Sequence, residues 1–411
     1  MLVGFDTQHF AILDQFQLGL SFADIEASGE GPGPRESAKD HRLNSLSCLL
    51  GRSSTGKSSV FLALHFLSQS LLYGPELAAE RIADAGFDSL LNYADQDGKS
   101  IGLGLNFYRP SFKEYLRYEL EFISEDYETK VQYERVLKHS RQGTEVLLEV
   151  QNGEGWLRPE RPNAEGPSTL DEQEPIELLD DSLQALAIYG RMLQYPSLAW
   201  LYRQIANCFV TQDPFDLNRL PARVRPGVET RLAADFSNAR NVLAYYQQRD
   251  DRRVEKLQTV ERILDKIPDT KITGDGNLDR QLTSGNLKLF LYYLLLEGDY
   301  SLICLDSPEA GLYHEQVEDL IREMRIYLDH NWDCQIILSS HSNILLDNLR
   351  PEEVWVMERE GLAAEEAKVQ ATWLGDKAKV QAMYKEGVSL GSMWYSGHLS
   401  QASETWYKER D

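Results

Sequence analysis

The chain has 411 residues, of which 42% are hydrophobic and 26% charged, enough for two or three domains with sizeable cores and ordinary for a folded protein. Its formal net charge of −23 argues against a chain that grips nucleic acid through overall charge, because such binding neutralises phosphates with Lys and Arg. A local basic groove, created on dimerisation, stays compatible with it. The N-terminus carries Asp6 and lacks a basic segment followed by an apolar block, and the longest apolar run, residues 287–296, contains Lys288. That run falls well short of the ~20 residues of a membrane span, so the reading is cytoplasmic, with no membrane contact. Cys48, Cys208, Cys304 and Cys334 are scattered in apolar stretches without metal-ligand spacing, which points to buried free thiols.

Residues 2–5, 10–13 and 18–22 read as strands, and residues 29–42, rich in Gly, Pro and charge, as a loop. The apolar strand 46–50 then runs into Gly51-Arg52-Ser53-Ser54-Thr55-Gly56-Lys57-Ser58, with Ser59 after it, and a helix of period 3.6 follows over residues 57–72. This is the G-x-x-x-x-G-K-[ST] phosphate loop in its strand, turn and helix setting. Gly51 and Gly56 permit torsions that turn successive N–H groups inward at a helix N-terminus, a nest for phosphate oxygens. Lys57 is expected to reach the β- and γ-phosphates of ATP, and the Ser58 hydroxyl to hold Mg²⁺.

A short helix is expected over residues 76–84. Residues 101–108, 115–122, 131–136 and 146–150 mostly alternate apolar and polar, which predicts an antiparallel meander with one wet face. The acidic, Pro-rich segment 159–181 reads as a surface loop. Residues 182–205 and 228–266 read as helices, the second with a charge run at 249–253 whose simplest reading is a solvated face. About 38 residues of helix span only ~57 Å, too short for a long coiled-coil arm.

Beyond Gly274, helices at 285–297, 315–328 and 344–348 alternate with strands at 301–305, 335–339 and 353–357. That is parallel α/β architecture with right-handed crossovers. The strand at 301–305 ends in Asp306, a carboxylate placed to hold Mg²⁺ through its water shell. Ser284 and Gly285 open a helix and offer a hydroxyl and free N–H groups to an anion. His341, in Ser339-Ser340-His341-Ser342, falls at a strand's C-terminal end beside the ligand crevice.

In this order the motifs resemble the SMC/OLD-like branch of ABC-type ATPases, the compact bacterial proteins known as AAA family predicted ATPases. The resemblance extends over nearly the whole chain. It includes Gly86-Phe87-Asp88-Ser89-Leu90-Leu91, Asp306-Ser307-Pro308-Glu309-Ala310-Gly311-Leu312 and Tyr384-Lys385-Glu386-Gly387-Val388-Ser389-Leu390-Gly391-Ser392-Met393-Trp394. It implies an α/β P-loop NTPase of ABC/SMC-head type, with the antiparallel meander and an inserted helical subdomain. The corresponding organisation is an N-terminal ATPase lobe at 1–158, an acidic loop and helical insertion at 159–272, a C-terminal ATPase lobe at 273–358 and an extension at 359–411.

The resemblance further implies a head-to-head homodimer with two ATP molecules held between the Ser284-Gly285 signature of one subunit and the phosphate loop of the other, and a γ-phosphate role for His341. Family members commonly carry a glutamate directly after the metal-binding aspartate; this chain has Ser307 there. Serine is no base at neutral pH, so either Glu309 takes that role or hydrolysis is slow. Ala11 stands where a basic residue often occurs, and no Q-loop glutamine is assigned. No nuclease carboxylate cluster follows the ATPase motifs, which implies a separate effector protein, as in phage-defence relatives. The function implied is an ATP-hydrolysing switch controlling a partner protein or nucleic-acid transaction. The alternatives are a non-hydrolysing ATP-dependent scaffold or sensor and a RecF-like DNA-maintenance ATPase.

Overall fold

The computed structural model describes residues 1–27, 41–83, 86–92, 100–125, 128–160, 173–180, 182–211, 231–239, 241–242, 263, 265–267, 283–360 and 368–400. Within them the chain builds two sheets. The first contains β1 (Leu2–Gln8), β2 (Phe16–Gly19), β4 (Ser100–Arg109), β5 (Glu114–Glu125), β6 (Glu128–Ser140), β7 (Gly143–Gln151), β8 (Glu154–Leu157) and β9 (Glu174–Glu177). Its order is β2-β1-β4-β5-β6-β7-β8-β9, antiparallel throughout. The second contains β3 (Leu46–Leu50), β10 (Cys208–Val210), β11 (Leu302–Asp306), β12 (Gln335–Ser340), β13 (Val354–Glu360) and β14 (Lys368–Trp373). Its order is β10-β11-β12-β3-β13-β14, parallel except for β14 at the edge.

The second sheet is covered on both faces, and its alternation records this. Leu49, Cys304 and Ile337 point into one core, shared with α2 (Lys57–Tyr73), α3 (Pro75–Ile82), α4 (Ala185–Tyr189), α5 (Pro196–Ala206) and the inner face of the first sheet. Cys48, Leu50, Ile303, Leu305, Ile336 and Leu338 point into the other, against α6 (Ser284–Leu296), α7 (His314–His330), α8 (Asn343–Leu346), α9 (Ala378–Lys385) and α10 (Leu390–Tyr395). Strands buried on both faces are continuous apolar runs, as at 46–50. The apolar run at 287–296 is an interior helix, since α6 is buried on nearly every side. No helix among the described residues is long and apolar enough to cross a membrane. Cys48, Cys304 and Cys334 are buried free thiols, and Cys208 is a half-buried one.

The outer face of the first sheet is wet, and its cations are matched by acids. Arg117 pairs with Asp6 and Glu119, and Arg135 lies between Glu119 and Glu149. On the other face, beside α5, Lys138 and Arg158 pair with Glu145, and Glu160 meets Lys138 as well as Ser197.

Several expectations are corrected. Residues 10–13 form a tight turn with a Phe10–Leu13 bridge and positive φ at Ala11, because Phe10 and Leu13 must both turn into the core. The strand expected at 18–22 ends at Gly19, and α1 (Phe22–Ala27) begins where its second half was placed. The helix expected at 182–205 is two helices, α4 and α5, with Pro196 opening the second. The segment read as a loop at 159–181 contains β9, whose Ile176 extends the buried face of the meander. Beyond residue 358, β14 completes the second sheet by pairing with β13. The loop at 29–42 lies outside the described residues over 29–40, as do most of the helix at 228–266 and the charge run at 249–253.

Candidate nucleotide site

β3, β11 and β12 are adjacent parallel strands, so their C-terminal ends deliver the phosphate loop, Asp306 and Ser339–His341 to one rim, where ligands bind in open α/β sheets. Gly56 has φ +91° and Ser54 φ +64°, left-handed torsions that turn the loop's amides inward. A Cβ on Gly51 would lie 2.5 Å from Thr55 Oγ1 and 2.6 Å from the Met357 carbonyl, so only glycine fits. The turn at 10–13 packs beneath: Leu13 would meet a Cβ on Gly56 at 2.8 Å. Arg52, Ser53, Ser54 and Ser58 are exposed, Ser59 half-buried, and Thr55 Oγ1 donates to the Arg52 carbonyl at 2.9 Å.

The Lys57 ammonium, 8% exposed, donates to the carbonyls of Gly51 at 2.7 Å and Arg52 at 2.8 Å. Burial lowers its pKa, and the neighbouring carboxylates of Asp306 and Glu309 oppose the shift. Ser58 Oγ donates to Asp306 Oδ2 at 2.7 Å. Asp306 Oδ1 accepts the Ser339 hydroxyl, and the Asp306 amide donates to Thr211 Oγ1 at 2.8 Å. A hydroxyl beside a carboxylate that is fixed from two sides is a hard-oxygen donor set, which suits Mg²⁺. A cavity of about 170 Å³ opens beside it, lined by Ser58, Phe61, Leu62, His65, Val210, Thr211 and Asp306 among others. That is below the roughly 300–1,000 Å³ of small-molecule pockets. Burial lowers His65 to about 4, so this wall is neutral at physiological pH.

Ser307 has φ +47°, and its hydroxyl is turned to Asp306 Oδ1 at 3.4 Å. Glu309 is buried at the C-terminal ends of β11 and β12, accepting the Ser340 hydroxyl at Oε1. Burial raises its pKa, opposed by the Ser340 hydrogen bond, by a backbone hydrogen bond and by the Lys288 ammonium. His341 is exposed immediately past β12. The rim therefore gathers residues 51–59, Asp306, Glu309 and His341. Ser284 and Gly285 are not joined to it by hydrogen bonds: among the described residues none links either to Lys57, Ser58 or Asp306. Gly285 packs instead on Gln316 and the Gly311 carbonyl.

Thr211 and His65 escaped the sequence reading. The signal for Thr211 was faint, a three-residue apolar strand, Cys208–Val210, whose parallel pairing with β11 carries Thr211 to Asp306. Gln212 follows it in sequence. His65 carried no signal, being one polar position on a helix that is buried over most of its surface.

Residues 213–347 match the family described as "AAA domain, putative AbiEii toxin, Type IV TA system". The match contains Ser284, Gly285, Asp306, Glu309 and His341. Similar solved structures include an SMC head bound to the C-terminal winged-helix domain of ScpA, 10% identical over 92% of this chain and 99% of that one, with a TM-score of 0.45. The SMC head of Thermotoga maritima is 11% identical over 90% and 98% of the two chains, with a TM-score of 0.38. An ATP-binding cassette of an ABC transporter is 12% identical over 93% and 99%, with a TM-score of 0.32. No curated protein matches the sequence.

Proposed function

We propose that this chain, a P-loop ATPase head of ABC and SMC type, is an ATP-driven switch that closes as a head-to-head homodimer on Mg·ATP and reopens on hydrolysis. The observation that carries this reading is the Ser58–Asp306 hydrogen bond beside the buried ammonium of Lys57. On ATP binding, Lys57 exchanges two loop carbonyls for phosphate oxygens, and the inward amides of residues 51–58 hold the remaining phosphate charge. Ser58 and Asp306 would hold Mg²⁺, which supplies charge neutralisation to the phosphates. Glu309 is the candidate base that takes a proton from the attacking water, and its raised pKa brings it toward the operating pH, where general bases work best. His341 supplies a hydrogen-bond donor toward the γ-phosphate. Ser284 and Gly285, at the N-terminus of α6, complete the site of a second copy.

The test is Mg²⁺-dependent ATP turnover and a change in molecular size with ATP, compared between wild type and Lys57→Ala. Turnover no higher than in the variant overturns the enzymatic reading. A second reading, a non-hydrolysing scaffold or sensor, is favoured by Ser307, whose hydroxyl faces Asp306 where a stronger base would stand. ATP-dependent dimerisation without turnover would select it.

The output of the switch is a separate effector protein, in a phage-defence setting. The toxin–antitoxin description of the matched family supports that setting. A RecF-like role on DNA is disfavoured by the net charge of −23 and by the acidic partners of Arg117 and Arg135. A salt-dependent shift with duplex DNA would restore it. The proposed location is the cytoplasm.

A further inference from the structure

The loop between Asp306 and α7 is fastened from two sides. On the β12 side, the Ser307 amide donates to the Ser339 carbonyl at 3.1 Å, and Glu309 accepts the Ser340 hydroxyl. Ser340 Oγ in turn accepts the Ser342 amide at 2.9 Å, closing the turn that carries His341. On the α6 side, a Cβ on Gly285 would lie 3.2 Å from the Gly311 carbonyl and 3.0 Å from Gln316 Oε1. Gln316 donates to Asn286 Oδ1 at 2.7 Å and accepts the Tyr313 amide at 3.0 Å. Lys288 Nζ donates to the Ala310 carbonyl at 2.6 Å.

Lys288 is the anomaly in this set. It is 7% exposed, on a helix otherwise buried and apolar from Leu287 to Leu296. Burying an ammonium is costly, and a leucine or methionine would fill the space without that cost. What the ammonium offers in addition is charge. It stands 5.6 Å from the Tyr292 ring centroid and acts electrostatically on Glu309, whose Oε2 is buried without a hydrogen-bond partner.

We propose that Lys288 is the positioning residue through which the helix presenting Ser284 and Gly285 sets the placement and ionisation of Glu309 and of the turn carrying His341. This rests on the ATPase reading above. A second copy's nucleotide docked on Ser284 and Gly285 would then bear on the chain's own hydrolytic residues through one buried side chain. The other groups facing Glu309 are His341 after β12, Lys57 at the start of α2, Cys48 on β3 and Tyr292 on α6, with Asp306 three residues before it. Burial lowers Lys288 to about 8, so it is charged at neutral pH and loses that charge in the alkaline range.

The experiment compares wild type, Lys288→Met, which keeps the volume, and Lys288→Arg, which keeps the charge. In Lys288→Met, kcat falls roughly tenfold or more, while KM and ATP affinity stay within about twofold. Its acid limb moves to higher pH, because losing a neighbouring cation favours the protonated acid. Lys288→Arg restores kcat and abolishes the wild-type decline above pH about 8. A carboxyl-carbon NMR titration of Glu309, identified with Glu309→Gln, gives a readout independent of turnover: it moves up in Lys288→Met and returns in Lys288→Arg. If wild type turns over ATP and Lys288→Met changes neither kcat nor the limb, the inference is overturned and the ATPase reading stands. If wild type turns over no ATP, that reading fails and the titration alone decides the inference, an unmoved Glu309 overturning it. Should Lys288→Met not fold, an alkaline limb that persists in Lys288→Arg overturns it.

Discussion

Ser58 donates its hydroxyl to Asp306 Oδ2 at 2.7 Å, across 248 positions of sequence. The two meet because β3 and β11 flank β12, so all three strands end at the same height. The site is therefore assembled by sheet order, and its chemistry can be tested residue by residue.

Asp306→Asn keeps the shape and the oxygen acceptor but removes the charge that would hold Mg²⁺. Turnover should fall about 10²-fold or more, while the ligand-free melting temperature moves by no more than about 3 °C. Steady-state turnover alongside thermal unfolding checks both halves; a large loss of stability would show that Asp306 is chiefly a structural strap.

Glu309→Gln removes the candidate base while keeping an acceptor for the Ser340 hydroxyl. ATP binding should persist and hydrolysis should drop roughly 10²-fold or more, trapping the ATP-bound dimer. Size-exclusion chromatography with Mg·ATP would show the trapped species. Unchanged turnover would remove Glu309 from the chemistry.

Gly51→Ala places a Cβ 2.5 Å from Thr55 Oγ1 and 2.6 Å from the Met357 carbonyl. One of those contacts is backbone on β13, so the strain cannot relax by a rotamer change. The cost should be about 2 kcal/mol or more, read by urea denaturation, with a parallel loss of nucleotide affinity.

Glu134 gives stability a pH dependence. Fully buried, it accepts Tyr118 Oη and the amides of Ala185 and Leu186, pinning α4 to the meander. Burial raises it to about 7, against an ordinary 4.5, with the three hydrogen bonds opposing. A raised acid is stabilised in its protonated form. Its contribution is thus complete below about pH 4.5 and is lost as pH rises through about 7. The full swing is roughly 3 kcal/mol, from about 1.4 kcal/mol per pKa unit. Urea denaturation across this range should show wild-type stability declining, and Glu134→Gln should flatten the slope.

Much of the site was legible in the chain. The phosphate loop is contiguous, and its glycines, Lys57 and Ser58 each answer a local requirement for a torsion, a charge or a hydroxyl. Asp306 and His341 were readable because an apolar run that ends in a polar residue marks where a buried strand reaches the rim. Thr211, His65 and Lys288 were not, since a threonine, a histidine or a lysine in an apolar segment has no local signature of its task. Positive φ at Ala11 was equally hidden, because the turn at 10–13 turns Phe10 toward Phe66 and sets Leu13 against Gly56, contacts that only the fold creates.

The sequence by itself determined the phosphate loop, the alternation of helix and strand beyond Gly274 and the alternating meander, because short-range periodicity and backbone sterics act within a few residues. Only the tertiary structure decided which strands neighbour one another, that Asp306 faces Ser58, and that Gly285 packs on Gln316 and the Gly311 carbonyl. Those outcomes follow from covering both faces of one parallel sheet with two separate cores, a condition that involves the chain from Leu2 to Leu399 and is written in no single stretch of it.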